Sequence, residues 1–434
     1  MNNYLPSTEI NQAGETMHQW MTQLYPICRS ITGDGLRSTL EFVSKIIPLE
    51  ITEIPTGTKV FDWTVPKEWN IQDAWVKNEA GEKVIDFKKH NLHILNYSIP
   101  IHEKMSLEKL KLHIFSMPAY PEWIPYRTSY YAENWGFCIP HNDLEKLDQG
   151  EYEVCVDATL EDGQLTYGEL YLPGETKDEV LISCHSCHPS LCNDNLSGIV
   201  LSTFLAKLLS SFERKLSYHI IFIPGTIGSI TWLARNEAKI DNIKHGLVIA
   251  TVGDSGHMHY KMTRQGGADI DRAVIHVLKH SGDHFETREF SPYGYDERQY
   301  SSPGFNLPVG SLTRTPHGQF DEYHTSQDNL DFVQPQFLAD SLDKYLSVIE
   351  VLEGNQTYLN KYPKGEPQLG KRGLYGAFGG RVDERKFEMA MLWVLNFSDG
   401  NNSLLNIAER ANLPFHFIRD AADKLLIADL LERI

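Results

Sequence analysis

From Glu153 onward the chain alternates between strand-like and helix-like patterns, and that alternation restricts the fold more than any other feature. The apolar runs Glu153 to Thr159, Leu165 to Leu172, Val180 to Ser183, Tyr218 to Ile223 and Gly246 to Val252 read as strands. Helical spacing separates the later ones, at about Ser197 to Ser210 and Ser229 to Ala238. Such a pattern predicts an α/β fold with a mixed, largely parallel sheet and helices on its faces. Reactive groups in such sheets collect in loops at the carboxyl ends of the strands. Three loops fall there: the run from Cys184 to Gly198, Pro224-Gly225-Thr226, and Gly253-Asp254-Ser255.

The flanking regions have other textures. Glu15 to Leu24 and Leu36 to Ile47 carry helical periodicity, and 60–150 reads as a small β-rich insert of short runs broken by Pro and Gly, such as Asp73 to Lys77, the turn Asn78 to Gly81, and Lys83 to Asp86. The α/β domain is thus expected as 1–59 joined to 151–360. Asn355 to Gly380 reads as a linker, and 371–434 as a winged-helix-like domain with helices at Arg385 to Leu395, Ser403 to Ala411 and Phe415 to Leu426 and a short strand at Ile427 to Leu431. That last segment has as many basic as acidic residues, so it lacks the positive footprint of a DNA reader and suits protein contact better.

At 434 residues and 41% hydrophobic content, the chain can fill more than one core. Its net charge of −18 argues against nucleic acid and anionic membrane as partners, and leaves a homo-oligomer open. The N-terminus has no basic stretch followed by an apolar one, and six cysteines, three of them scattered, make a poor disulfide framework, so the expected location is cytoplasmic.

The run Ser183-Cys184-His185-Ser186-Cys187-His188-Pro189-Ser190-Leu191-Cys192-Asn193-Asp194-Asn195 concentrates imidazole, thiol and carboxylate donors just after a strand. These are ligands for zinc, one ion or two. Asp194 and His185 or His188 are candidates, with Asp254 and His324 from later loops. Each has an ordinary alternative: Asp194 as a helix N-cap, Asp254 as a turn residue, His324 as a surface histidine. A competing metal reading is a structural knot of Cys184, Cys187, His188 and Cys192, whose four donors are crowded into nine residues.

Together, His185 to Gly198, Ile223 to Ser229, Val252-Gly253-Asp254 and Tyr323-His324-Thr325-Ser326 resemble the bacterial aminopeptidase-like zinc hydrolases, a family with a small inserted β domain and a closing winged helix. Tyr25 to Gly33 and Asp296 to Pro308 extend the likeness over nearly the whole chain. The resemblance implies Asp194 as a metal-bridging carboxylate, Asp254 as a terminal ligand, His324 as the far imidazole, and His185 or His188 as the near one. It also implies a glutamate as general base where this chain has Gly225; zinc aminopeptidases at large add a second, ligating glutamate where this chain has Thr226, which the resembled subfamily lacks. The activity implied is hydrolysis of a small peptide or aminoacyl amide, impaired at Gly225 unless Glu322 or Glu297 supplies the base. Arg264 and Arg298 are candidates for clamping a substrate carboxylate, and Tyr300 and Tyr323, with Tyr293 and Tyr295, for lining its site. The alternatives are a non-catalytic metal-containing binding or regulatory protein and a single-zinc acyl-transferase or cyclase.

Overall fold

A computed structural model describes residues 4–374 and 382–434. The chain divides into two compact units. One comprises Ser7–Gly266 and Glu286–Leu342; the other comprises Gly267–Phe285 and Asp343–Ile434 with the N-terminal residues through Pro6.

The first unit is built on an eight-stranded mixed sheet. Across it the strands run Glu50–Pro55, Gln164–Leu172, Ser217–Ile223, Glu179–His185, Ile243–Ile249, Val309–Thr313, Met258–Lys261 and Phe285–Arg288. Only its centre is parallel: Glu179–His185 pairs in parallel with Ser217–Ile223 on one side and Ile243–Ile249 on the other, and the latter pairs in parallel with Val309–Thr313. The margins are antiparallel. All seven residues of Glu179–His185 are buried, as a central parallel strand covered on both faces requires. The run Val180-Leu181-Ile182 satisfies that demand. Its last residue, His185, is delivered to the sheet edge on a backbone held from both sides.

The strand Glu151–Glu161 corrects the expected domain boundary. It pairs antiparallel with Glu68–Lys77 and Ile101–Ser106 and so belongs to the insert's four-stranded sheet. Within that sheet Lys83–Asp86 folds back on Glu68–Lys77 as the turn residues predict. Gly81 takes φ +80°, and the Asn78 side chain accepts from the Glu82 amide at 2.9 Å.

Arg37 ties the helix Asp34–Ser44 to this sheet. Its guanidinium donates to both Glu68 oxygens at 2.7 Å and to Glu53 at 2.7 Å. The bidentate bond from Arg37 holds the Glu68 carboxyl down at about 2, against an ordinary 4.5. A depressed carboxyl pKa stabilises the fold fully above about 4.5, and that contribution is lost as pH falls through about 2. Glu68→Gln is therefore expected to cost about 2 kcal/mol at neutral pH and much less near pH 2, which urea titrations at several pH values would reveal. An unchanged midpoint at pH 7 would dismiss the bridge as a stabilising contact.

In the second unit the segment expected to be a linker opens with the strand Thr357–Asn360, which lies between Asp399–Ser403 and Leu431–Arg433. Residues 375–380 of that linker lie outside the described residues. Three helices, Val382–Phe397, Leu404–Ala411 and Phe415–Ile427, accompany the sheet. Asn412 ends the middle helix in the left-handed conformation (φ +50°), and Pro414 precedes the next helix, as the turn Asn412-Leu413-Pro414 predicts. The last strand begins at Leu431 rather than Ile427, because the amides of 428–430 still bond to helix carbonyls. Among the described residues no helix is long and apolar enough to cross a membrane.

Candidate metal centre

Between His185 and the helix Ser197–Leu209 the chain makes a tight turn at Cys192–Leu196, in which Asp194 and Asn195 leave helical geometry. The three residues Asn193, Asp194 and Asn195 divide the work. Asn195 donates to the carbonyls of His185 and Ile249, each at 3.1 Å, and accepts from the Thr251 amide, stitching the turn to two strand ends. Asn193 accepts from the Gly253 amide at 2.9 Å and donates to Asp254. Asp328 accepts from the amides of Asn193 and Asp194 at 2.5 and 2.9 Å. Asp194 is thereby free of any capping role, and its carboxylate faces imidazoles instead.

Three imidazoles meet it. His185 Nε2 lies 2.7 Å from Asp194 Oδ1, and His324 Nε2 and His188 Nε2 lie 3.0 and 4.0 Å from Oδ2. The donor atoms of His185, His188 and Asp194 all fall within 4.8 Å of one another, and all three side chains are buried. Burial alone would lift the Asp194 pKa. Its electrostatic interaction with the His188 ring and the bonds from His185 and His324 outweigh it and hold the carboxyl well below its ordinary value. Burial also drives His188 well below the usual imidazole range, leaving it neutral. His324 is a third exposed, so the cluster opens on its side.

Other side chains brace or cover it. Arg29 is completely buried and donates to the carbonyls of His188 and Leu24, each at 2.8 Å. Tyr323 stacks on His324 with centroids 3.9 Å apart, and Tyr126 meets His324 edge-on at 5.0 Å. Tyr295 lies 3.8 Å from the His185 ring and covers Gly225. A Cβ added at Gly225 would sit 2.2 Å from Cε1 of Tyr295 and 2.8 Å from its hydroxyl. The phenol ring thus fills the space a side chain at 225 would enter.

Several expected residues are placed elsewhere. Asp254 is buried, but its Oδ1 accepts from Thr315 at 2.6 Å and Gly256 at 2.7 Å, and its Oδ2 from Asn193 at 2.9 Å and Thr315 at 3.2 Å. The structure does not bring it into the donor group. Glu297 is paired with Lys261 at 2.8 Å and accepts from the Tyr295 amide, so it anchors a loop. Glu322 uses its backbone carbonyl to cap Thr325, and its carboxylate acts electrostatically on Tyr120. Tyr300 is completely buried and bonded to Ser183 at 2.8 Å, which takes it away from any ligand. Arg264 is exposed and donates to Asn306. Arg298 is half-buried beside Asp296, its Nε without a partner among the described residues. The cysteine knot is not formed: among the described residues no thiol joins a metal-sized donor group, and burial raises the pKa of Cys184, Cys187 and Cys192.

Two groups near the cluster, His317, which is half-buried, and Asp296, which is buried, were not among the candidates. His317, whose ring lies 6.2 Å from His185 and 5.4 Å from Tyr295, follows the strand Val309–Thr313, the same strand-end signal that marked the other loops. Asp296 accepts from Ser229 at 2.7 Å through one oxygen, while the other has no partner among the described residues. Burial raises its pKa to about 6, against the pull of His185.

A model described as a domain of unknown function, DUF4910, matches residues 18–355, most of the chain. The chain belongs to the DUF4910 family. A winged helix-turn-helix model matches residues 356–433, so in this DUF4910 protein the three C-terminal helices and their sheet form a winged helix. A Clostridium acetobutylicum protein, provisionally named for polysaccharide biosynthesis and an aminopeptidase-like domain, is 53% identical over all of this chain and 99% of its own length. A crystal structure from the same species, provisionally named a peptidase, aligns with TM-score 0.94 at 52% identity, over 99% of this chain and 98% of that one. A zinc aminopeptidase from Bacillus subtilis aligns with TM-score 0.57 at 13% identity, over 79% of this chain and 95% of that one. At that identity the likeness shows the fold, which in this DUF4910 chain is aminopeptidase-like.

Proposed function

We propose that this chain is a zinc-dependent amide hydrolase of aminopeptidase type, holding one ion through His185, His188, Asp194 and His324. The observation that carries the reading is the convergence of three imidazoles on one buried carboxylate at the carboxyl ends of parallel strands. Nitrogen donors with one carboxylate oxygen fit zinc, and neutral His188 needs no proton removed before it binds. Thr226 in place of an anionic ligand, and Asp254 spent on other bonds, favour one ion over two. Zinc in such a site polarises a carbonyl and acidifies water.

The protein's own groups then bind and orient a small peptide, an aminoacyl amide or, because the Clostridium acetobutylicum relative is provisionally named for polysaccharide biosynthesis, an amide carried on a sugar. Tyr323 and Tyr126 offer aromatic walls beside His324. Gly225 supplies no carboxylate. Asp296, with a pKa of about 6 and one free oxygen, is the buried group best matched to proton transfer near neutrality. A second reading, ligand binding without turnover, is favoured by the Tyr295 ring lying where a base at 225 would reach.

The test is to assay zinc-loaded protein and its Asp194→Asn variant against aminoacyl anilides, dipeptide amides and N-acetyl amino sugars. Turnover that disappears in the variant is the expected result. Saturable binding of one of these compounds by calorimetry, with no turnover, would move the assignment to the second reading.

A further inference from the structure

The second unit holds another group of imidazoles, with no part in the site above. His276 and His280 lie four residues apart on the helix Asp269–Ser281 and therefore on one face. Their rings are 4.6 Å apart. His276 is 4% exposed, and the Nε2 atoms of both are buried with no hydrogen-bond partner among the described residues. Both line a cavity of about 200 Å³, shared with His416, Asp343 and Glu350. Buried ring nitrogens without partners are costly, and here two of them belong to neighbouring rings of residues that line one cavity.

We propose that His276 and His280 chelate a divalent transition-metal ion of the zinc class, with His416 on the helix Phe415–Ile427 turning in as a third donor. Paired histidines at i and i+4 on one helix face are a recurrent zinc-binding arrangement, because the helix sets both nitrogens on one side. Two of the formal charges lining the cavity are held in ion pairs with groups beside it. Lys344, which also lines the cavity, is paired with Asp283 at 2.9 Å, and Glu350 is paired with Arg419. The site lies in the unit that contains the winged helix and joins one of its helices to Asp269–Ser281.

The test uses the full chain carrying Asp194→Asn, which disables the first site, with and without His276→Gln and His280→Gln. After equilibration with zinc and gel filtration, elemental analysis should find about one zinc per chain in the parent and almost none in the triple variant. In the parent, cobalt should give a visible spectrum of nitrogen coordination, and zinc should raise the melting temperature by a few degrees. The milder His416→Gln variant should weaken zinc binding about 10-fold or more while leaving the circular dichroism of the parent intact. Absence of zinc from the parent, or equal zinc in parent and triple variant, overturns the proposal.

Discussion

Asp194→Asn is expected to strip the first site of its metal. The side chain is completely buried, and both of its oxygens face imidazoles, at 2.7 Å for His185 and 3.0 Å for His324. An amide removes the one negative charge among three imidazoles and puts a donor where an acceptor is needed. Loss of an outer partner of a metal site costs 10-fold to 100-fold in affinity, so loss of the carboxylate itself should cost at least about 100-fold. With the second-unit histidines also replaced, elemental analysis should then fall from about one zinc per chain to almost none. Asp254→Asn is the control: because Thr315, Gly256 and Asn193 already occupy its oxygens, zinc should be retained. Equal metal loss in both variants would make Asp254 a ligand, and full retention in Asp194→Asn would remove the cluster as the site.

The second large effect lies at Gly225. Introducing glutamate alone should give little, because its Cβ would fall 2.2 Å from the Tyr295 ring. Either the phenol leaves its place beside His185 or the variant carries an overpacking cost of about 1–3 kcal/mol. Paired with Tyr295→Ala, the new carboxylate has room beside the cluster. A positioned general base is worth about 10²-fold to 10⁴-fold, and the double variant should gain amide hydrolysis in that range, against less than about 10-fold for Gly225→Glu alone. Steady-state kinetics with zinc-loaded proteins would decide it. A folded, zinc-containing double variant with no gain on any amide would sink the hydrolase reading.

Much of this arrangement is legible in sequence because apolar runs mark buried strands and reactive loops follow their ends. His185, His188 and Asp194 are marked that way, His324 by the family resemblance, and the four lie together. Where the reading failed, the deciding information was partnership. Glu151–Glu161 has the alternation of a strand, but nothing in those residues says it pairs with Glu68–Lys77 rather than with the central sheet. Thr357–Asn360 is too short to show a period, and its neighbours Pro363 and Pro367 suggest a linker. Tyr300 and Asp254 have the right chemistry at the right places along the chain. Their side chains turn to Ser183 and to Thr315 respectively, a choice made by packing alone. The occlusion of Gly225 by Tyr295 joins residues from two distant loops and has no local signature.

The amides of Asn193 and Asp194 are held by a carboxylate more than 130 positions later in the chain, and the last imidazole, His324, comes just before it. During synthesis the Cys184 to Gly198 segment leaves the ribosome long before either. A nascent chain therefore carries half a chelate with nothing to fix its turn. On the proposed reading, the first site is complete as a chelate only once translation has passed Asp328, and an ion met earlier would find the thiols and imidazoles of the 184–192 run without their fixed turn.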